Sequence, residues 1–216
     1  MSVILAEKSI QDENLKLANE LAAFFKAKGV RAFEFLGSPG SGKTSVIECL
    51  VKSLLESGYE PKSIAYIGGD VATRRDTERI EKFGVQAVQI NTGGICHLEV
   101  PHVKKALEYL DLDMARVLII ENVGNLICPF YFPLGAEKRI LVVSTPEGED
   151  KFIKHPMSTR LADVIIINKV DLAEAVGVNV EFMEKTAREL NPRAPIIRMV
   201  AKRCEGVEEL RRVLGV

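Results

Sequence analysis

The sequence predicts an α/β fold: one doubly wound, mainly parallel sheet flanked by helices. Short β-branched runs alternate along it with longer amphipathic stretches, which is the pattern of strand–helix–strand crossover units. A glycine-rich turn stands between the first of these strands and the helix after it. The length of 216 residues suits a single domain spanning 1–216, and no repeat, low-complexity tract or linker divides it.

The elements follow in order. Residues 10–28 place Leu15, Ala18, Leu21, Ala22 and Phe25 at helical spacing and stop at Lys28-Gly29, so residues 1–30 form a helical segment packed on the domain. Strands are expected at 32–36, 63–67, 87–90, 117–120, 139–143, 164–167 and 196–200, with helices between most of them, one of them over 45–55. A short helix closes the chain over 206–214. Between Gly124 and Glu137 the pattern lapses into Cys128-Pro129 and Phe132-Pro133-Leu134-Gly135, too rich in proline and glycine for regular structure and longer than an ordinary connection. Loops of that kind are often functional.

Composition removes several classes of function. With 29 Lys and Arg against 30 Asp and Glu the net charge is −1, which argues against a nucleic-acid or membrane-surface binder. Apolar residues make up 47%, enough for a sizeable core, yet the aliphatic runs 117–120 and 164–167 are far short of a membrane span. Val3-Ile4-Leu5-Ala6 is too short for a signal-peptide core and lacks preceding basic residues, so a cytoplasmic location is expected. Four scattered cysteines are too few for a disulfide scaffold, which leaves metal binding or plain burial to explain them.

Gly37-Ser38-Pro39-Gly40-Ser41-Gly42-Lys43-Thr44 fits the phosphate-loop pattern G-x-x-x-x-G-K-[ST], directly after an expected strand and before the helix that Ser45 opens. Glycines let backbone N–H groups close around a polyphosphate, and the helix N-terminus adds positive potential. Lys43 supplies a point charge and Thr44 a hydroxyl for magnesium. This predicts a phosphate-loop NTPase fold.

Asn168-Lys169-Val170-Asp171 ends a strand, where a doubly wound sheet presents ligand-contacting residues. Asp171 can accept from the N1–H and 2-amino group of guanine while the Lys169 stem lies along the ring. Adenine lacks that donor pair, so GTP and GDP are the expected ligands, and Val200-Ala201-Lys202 stands as a candidate for a further base-contacting segment. Asp70 and Glu121, after the strands at 63–67 and 117–120, are candidates to hold magnesium or its waters. An acid such as Asp70 is expected to orient the attacking water. Asp76 serves equally as a catalytic acid or as a first-turn helix acid.

Cys96-His97 follows the turn Gly93-Gly94, and Cys128 opens the irregular loop. Two thiolates and an imidazole suit zinc or nickel, although the spacing matches no common zinc finger, and a loop cysteine beside a hydrogen-bonded histidine would read the same way. Three ligands are one short of a tetrahedron, so a symmetric dimer pooling two sets would complete it. Cys49 reads as core, Cys204 has no metal role, and His102 and His155 are surface or packing residues.

Taken together, the phosphate loop, Gly69-Asp70, Asn91-Thr92-Gly93-Gly94-Ile95-Cys96-His97-Leu98, Glu121-Asn122-Val123-Gly124-Asn125-Leu126, Cys128-Pro129 and Asn168-Lys169-Val170-Asp171 resemble the hydrogenase nickel-incorporation GTPase family, HypB. The resemblance covers nearly the whole chain, from Phe33 to Gly206. It implies GTP-dependent homodimerisation coupled to nickel delivery into [NiFe] hydrogenase, with the hydrogenase large subunit or another nickel-insertion accessory protein as partner. It also implies that Cys96, His97 and Cys128 form a nickel or zinc site at the dimer interface, that Lys43 and Thr44 serve phosphate and magnesium, that Asp70 and Glu121 shape the switch region, and that Asn168 and Asp171 read guanine. The sister urease-accessory GTPases carry a Cys-Pro-His triplet, unlike the adjacent Cys96-His97 here. Residues 1–12 hold neither the cysteine-rich motif nor the histidine-rich tract of some family members, so a separate N-terminal metal store is not expected. Two rivals stand beside this reading: a small-molecule kinase on the same phosphate loop, and a zinc- or nickel-binding scaffold indifferent to nucleotide.

Overall fold

The computed structural model describes residues 6–70 and 74–216, with side chains from residue 12 onward. Residues 3–5 of the N-terminal apolar run lie outside the described residues. Seven strands, β1 (Arg31–Leu36), β2 (Ile64–Asp70), β3 (Gln86–Asn91), β4 (Val117–Glu121), β5 (Lys138–Ser144), β6 (Val164–Asn168) and β7 (Ile196–Met199), form one sheet in the order β3-β2-β4-β1-β5-β6-β7. Every neighbouring pair is parallel. All seven expected strands are present, and the sheet is wholly rather than mainly parallel. β1 sits at its centre, between β4 and β5, so the loop leaving β1 opens where the strand order reverses, the place where such sheets bind ligands.

Helices cover both faces: α1 (Ala6–Lys28), α2 (Lys43–Glu56), α3 (Arg75–Glu81), α4 (Val100–Leu107), α5 (Cys128–Tyr131), α6 (Lys151–Lys154), α7 (Pro156–Leu161), α8 (Val180–Leu190) and α9 (Val207–Leu214). Side chains alternate along each strand, which sorts the core into layers. Phe33, Phe35, Tyr66, Val117 and Ile119 meet α2 and α9 on one face. On the other, Ala32, Ala65, Ile67, Leu118 and Ile120 meet α1 and α4, while Leu36, Leu141, Val143, Ile165 and Ile167 meet α8.

Two details depart from the sequence reading. Leu15, assigned to the apolar stripe of the first helix, is 49% exposed; Ala18, Leu21 and Phe25 carry the burial, and Asn14 Nδ2 donates to the Pro133 carbonyl at 3.0 Å. The region 124–137 is not wholly irregular, because α5 forms one helical turn within it. Pro129 lies in its first turn, where a missing N–H costs nothing, so proline starts this turn rather than preventing it. No helix among the described residues is long and apolar enough to cross a membrane.

Candidate functional site

A polar cleft of about 480 Å³ opens at the C-terminal edge of the sheet and is lined by Pro39, Gly40, Gly42 to Ser45, Asp70, Asp76, Glu121 and Lys169 among others. It therefore gathers the phosphate loop and all three candidate acids. Gly42 caps α2 with φ 94°, and a Cβ there would stand 2.3 Å from the Asn168 amide nitrogen, so the close approach of these two segments requires glycine. Lys43 is buried, its Nζ donating to the carbonyls of Gly37 at 3.1 Å and Ser38 at 3.2 Å. Burial pulls its pKa down, and Glu121 is the foremost of the acids that oppose that shift.

Glu121 is buried and takes two hydroxyl donors, Thr44 Oγ1 at 2.8 Å and Tyr66 OH at 2.8 Å. Burial pushes its carboxyl up, against the pull of Lys43 and those two hydrogen bonds. Thr44, Glu121 and the nearby Asp70 and Asp76 offer the hard oxygen donors, with a balancing cation in Lys43, that a magnesium–phosphate pair needs. Asp76 faces Arg79 at 3.3 Å. Arg79 also donates to Ser45 Oγ at 3.0 Å and forms an ion pair with Glu48, which fastens α3 to α2. Tyr66 and Arg79 went unread in the sequence, where nothing marks a strand tyrosine or a helix arginine as facing a phosphate loop.

Asn168 ends β6 as a clasp. Its Nδ2 donates to the Ser41 carbonyl at 2.9 Å and its Oδ1 accepts from the Ala201 N–H at 3.1 Å, joining the phosphate loop to the turn that follows β7. Lys169 holds a left-handed turn at φ 58° and donates from Nζ to the Gly40 carbonyl at 2.7 Å. Asp171 is exposed and pairs with Arg203 at 3.3 Å. The expectation that burial or metal binding accounts for all four cysteines is corrected here: Cys49 and Cys204 form a disulfide that ties α2 to the turn after Ala201-Lys202. A separation of 155 residues hid the pairing, which exists only because α2 and α9 pack together.

Cys96, His97 and Cys128 are brought together, with their ligand atoms all within 4.8 Å of one another. Both thiols are free. His97 stacks on Phe132 at a centroid distance of 4.3 Å, and its Nε2 lies 3.3 Å from Glu99 Oε1. Burial lowers the His97 pKa, favouring the neutral imidazole that ligates metal. The Cys128 thiol is raised, first by its hydrogen bond with Cys96 and then by burial; a bound cation would reverse that. His102 accepts from the Glu99 N–H in the capping box of α4, a structural role.

The two sites touch. Gly37 and Asn125 form an antiparallel bridge, and a Cβ on Gly124 would meet Pro39 Cγ at 2.9 Å, so the loop leading to Cys128 lies directly on the phosphate loop.

Fold and cleft together define a phosphate-loop nucleotide-binding protein with a thiol–imidazole cluster alongside. Residues 32–198 match the family described as CobW/HypB/UreG, nucleotide-binding domain. Within it the chain belongs to the HypB hydrogenase maturation factors. It is 46% identical over 208 residues to the probable hydrogenase maturation factor HypB of Methanocaldococcus jannaschii, covering 96% of this chain and 89% of that one. The crystal structure of HypB from Archaeoglobus fulgidus superposes with a TM-score of 0.84 at 42% identity, over 94% of this chain and 99% of that one. The crystal structure of HypB from Helicobacter pylori in complex with nickel superposes with a TM-score of 0.85 at 36% identity, over 94% and 93%.

Proposed function

We propose that this protein is a cytoplasmic, GTP-hydrolysing metallochaperone. It delivers nickel during [NiFe] hydrogenase maturation, and its metal binding and dimerisation follow the nucleotide state. The observation that carries the reading is the contact between the two sites: Glu121, bonded to Thr44 in the cleft, stands seven residues before Cys128, and the loop between them lies on the phosphate loop. The nickel complex of the Helicobacter pylori relative supports nickel as cargo, and the same three ligands suit zinc.

In this reading one GTPase domain does the work, with α1 packed upon it. The phosphate-loop amides and Lys43 hold the β- and γ-phosphates; Thr44, Glu121 and Asp70 hold magnesium, which supplies charge neutralisation at the phosphates. Asp70 or Asp76 orients the attacking water, and Asp171, with Lys169, Ala201 and Lys202, holds guanine. Catalysis then rests on positioning and electrostatics, and intrinsic turnover is slow. The homodimer is supported by Ile95, Ile127, Tyr131 and Met157, large apolar side chains left at least 40% exposed beside the thiol cluster and the groove next to it. A second copy would cover that surface and bring its own ligands. The hydrogenase large subunit or another insertion protein would receive the metal.

Displacement of a fluorescent GDP analogue tests the nucleotide assignment. GTP should compete at least a hundredfold better than ATP, and Asp171→Asn should shift the preference toward xanthine nucleotides, whose 2-oxo group accepts from an amide. Equal competition by ATP would favour a kinase.

A further inference from the structure

β4 ends in Glu121 and runs straight on into Asn122, whose N–H donates to the Phe35 carbonyl at 3.0 Å. Successive residues of a strand face opposite sides of the sheet. Glu121 faces α2 and Tyr66; Asn122, wholly buried, faces the loops of the thiol cluster. Asn122 Oδ1 accepts from the N–H of Leu98 at 2.9 Å, one residue past His97. Its Nδ2 donates to Glu34 Oε1 at 2.7 Å. Glu34 is an enclosed carboxylate in the middle of β1, and its Oε2 lies 3.4 Å from Nε of Arg139, its register partner on β5. Arg139 Nη2 donates to the carbonyl of Pro129 at 2.9 Å, one residue past Cys128, and the guanidinium lies 4.8 Å over the Phe130 ring. One buried chain of polar groups thus begins beside His97 and ends beside Cys128.

An ion pair inside a core contributes little to stability that well-packed apolar residues of similar volume would not. This one is a charge contact without hydrogen-bond alignment, leaving Glu34 Oε2 and Arg139 Nε short of a full partner. What apolar residues could not do is direct two loops at once, one through an acceptor for the Asn122 amide and the other through a donor to the Pro129 carbonyl. We infer that Glu34, Asn122 and Arg139 are positioning residues for the metal site. They set the separation of the Cys96-His97 turn from the Cys128 turn, and the peptide shared by Glu121 and Asn122 ties that separation to the nucleotide cleft. The inference rests on Cys96, His97 and Cys128 being a metal site.

Cobalt(II) titration of the full chain, read by thiolate-to-cobalt charge-transfer absorption in the presence of GDP or a non-hydrolysable GTP analogue, tests this together with thermal melting. Glu34→Gln and Arg139→Lys are expected to weaken cobalt binding at least tenfold, alter the band, and move the ratio of affinities in the two nucleotide states toward one. The double variant Glu34→Gln/Arg139→Met removes both charges while keeping an acceptor for Asn122, so it should recover the melting temperature without recovering cobalt affinity. Recovery of both together, or unchanged affinity in the folded single variants, overturns the positioning role. An affinity ratio that stays as in the wild type overturns the tie to the cleft. A wild-type protein with no thiolate band overturns the metal-site reading and this inference with it, whereas a wild-type band shared by unaltered variants overturns the positioning role alone.

Discussion

In the nucleotide cleft the working side chains hold one another: Lys43 on the loop carbonyls, Thr44 and Tyr66 on Glu121, Asn168 between the Ser41 and Ala201 backbones. In the thiol cluster, Cys96 is exposed in a loop and Cys128 half-buried at the start of the single-turn α5, with three ligands gathered where four are wanted. The first region sits on strand ends and is braced by a disulfide; the second hangs from it. Such a difference suits a site that must bind one ligand in a fixed pose and another reversibly, since exchange of a cargo metal requires a coordination sphere that opens.

Lys43 is where the two regions should separate most sharply. Lys43→Ala should lower GTP hydrolysis about a thousandfold, measured as phosphate release, while metal affinity of the nucleotide-free protein stays within about twofold. Loss of metal binding in that variant would mean that the two regions are not separable. Reducing the Cys49–Cys204 disulfide, or Cys204→Ser, should lower stability by about 3 kcal/mol in denaturant melts, because the link closes a long loop of the unfolded chain. Guanine-nucleotide affinity should fall with it, and the thiol cluster should be unaffected.

Cys96→Ala should weaken nickel binding about a hundredfold by equilibrium titration with no change in GDP affinity. The smallest effect is on pH. Because the Cys128 thiol is held above its ordinary range and must lose its proton to ligate, nickel affinity should rise with pH, by about tenfold per unit for each proton released, below that thiol's pKa. A pH-independent affinity between pH 6 and 8 would place the metal on other groups.

The two regions also differed in how far they could be read from sequence. The cleft is built from contiguous motifs, so the phosphate loop, Asn168-Lys169-Val170-Asp171 and the strand-end acids were all legible where they stand. Cys96, His97 and Cys128 needed a family resemblance, because the fold rather than the spacing brings them together. Glu34, Asn122 and Arg139 escaped as a set: their meeting depends on the register of β1 with β4 and β5, which local pattern does not encode. A signal was present nonetheless, in a glutamate amid the apolar strand Arg31–Leu36, since a buried charge demands a partner. The disulfide is hidden for a related reason: its cysteines stand 155 residues apart, and burial alone suffices to explain a helix cysteine such as Cys49.

The most direct test of nucleotide-gated metal binding is nickel affinity, measured by equilibrium titration with GDP and with a non-hydrolysable GTP analogue in parallel, scoring the dimer fraction in the same samples. The expected result is a difference of at least tenfold, about 1.4 kcal/mol of coupling, accompanied by a change in dimer fraction and abolished by Cys96→Ala. Identical affinities in the two states, with the dimer fraction unchanged, would contradict it, because a ligand with equal affinity for both states shifts neither.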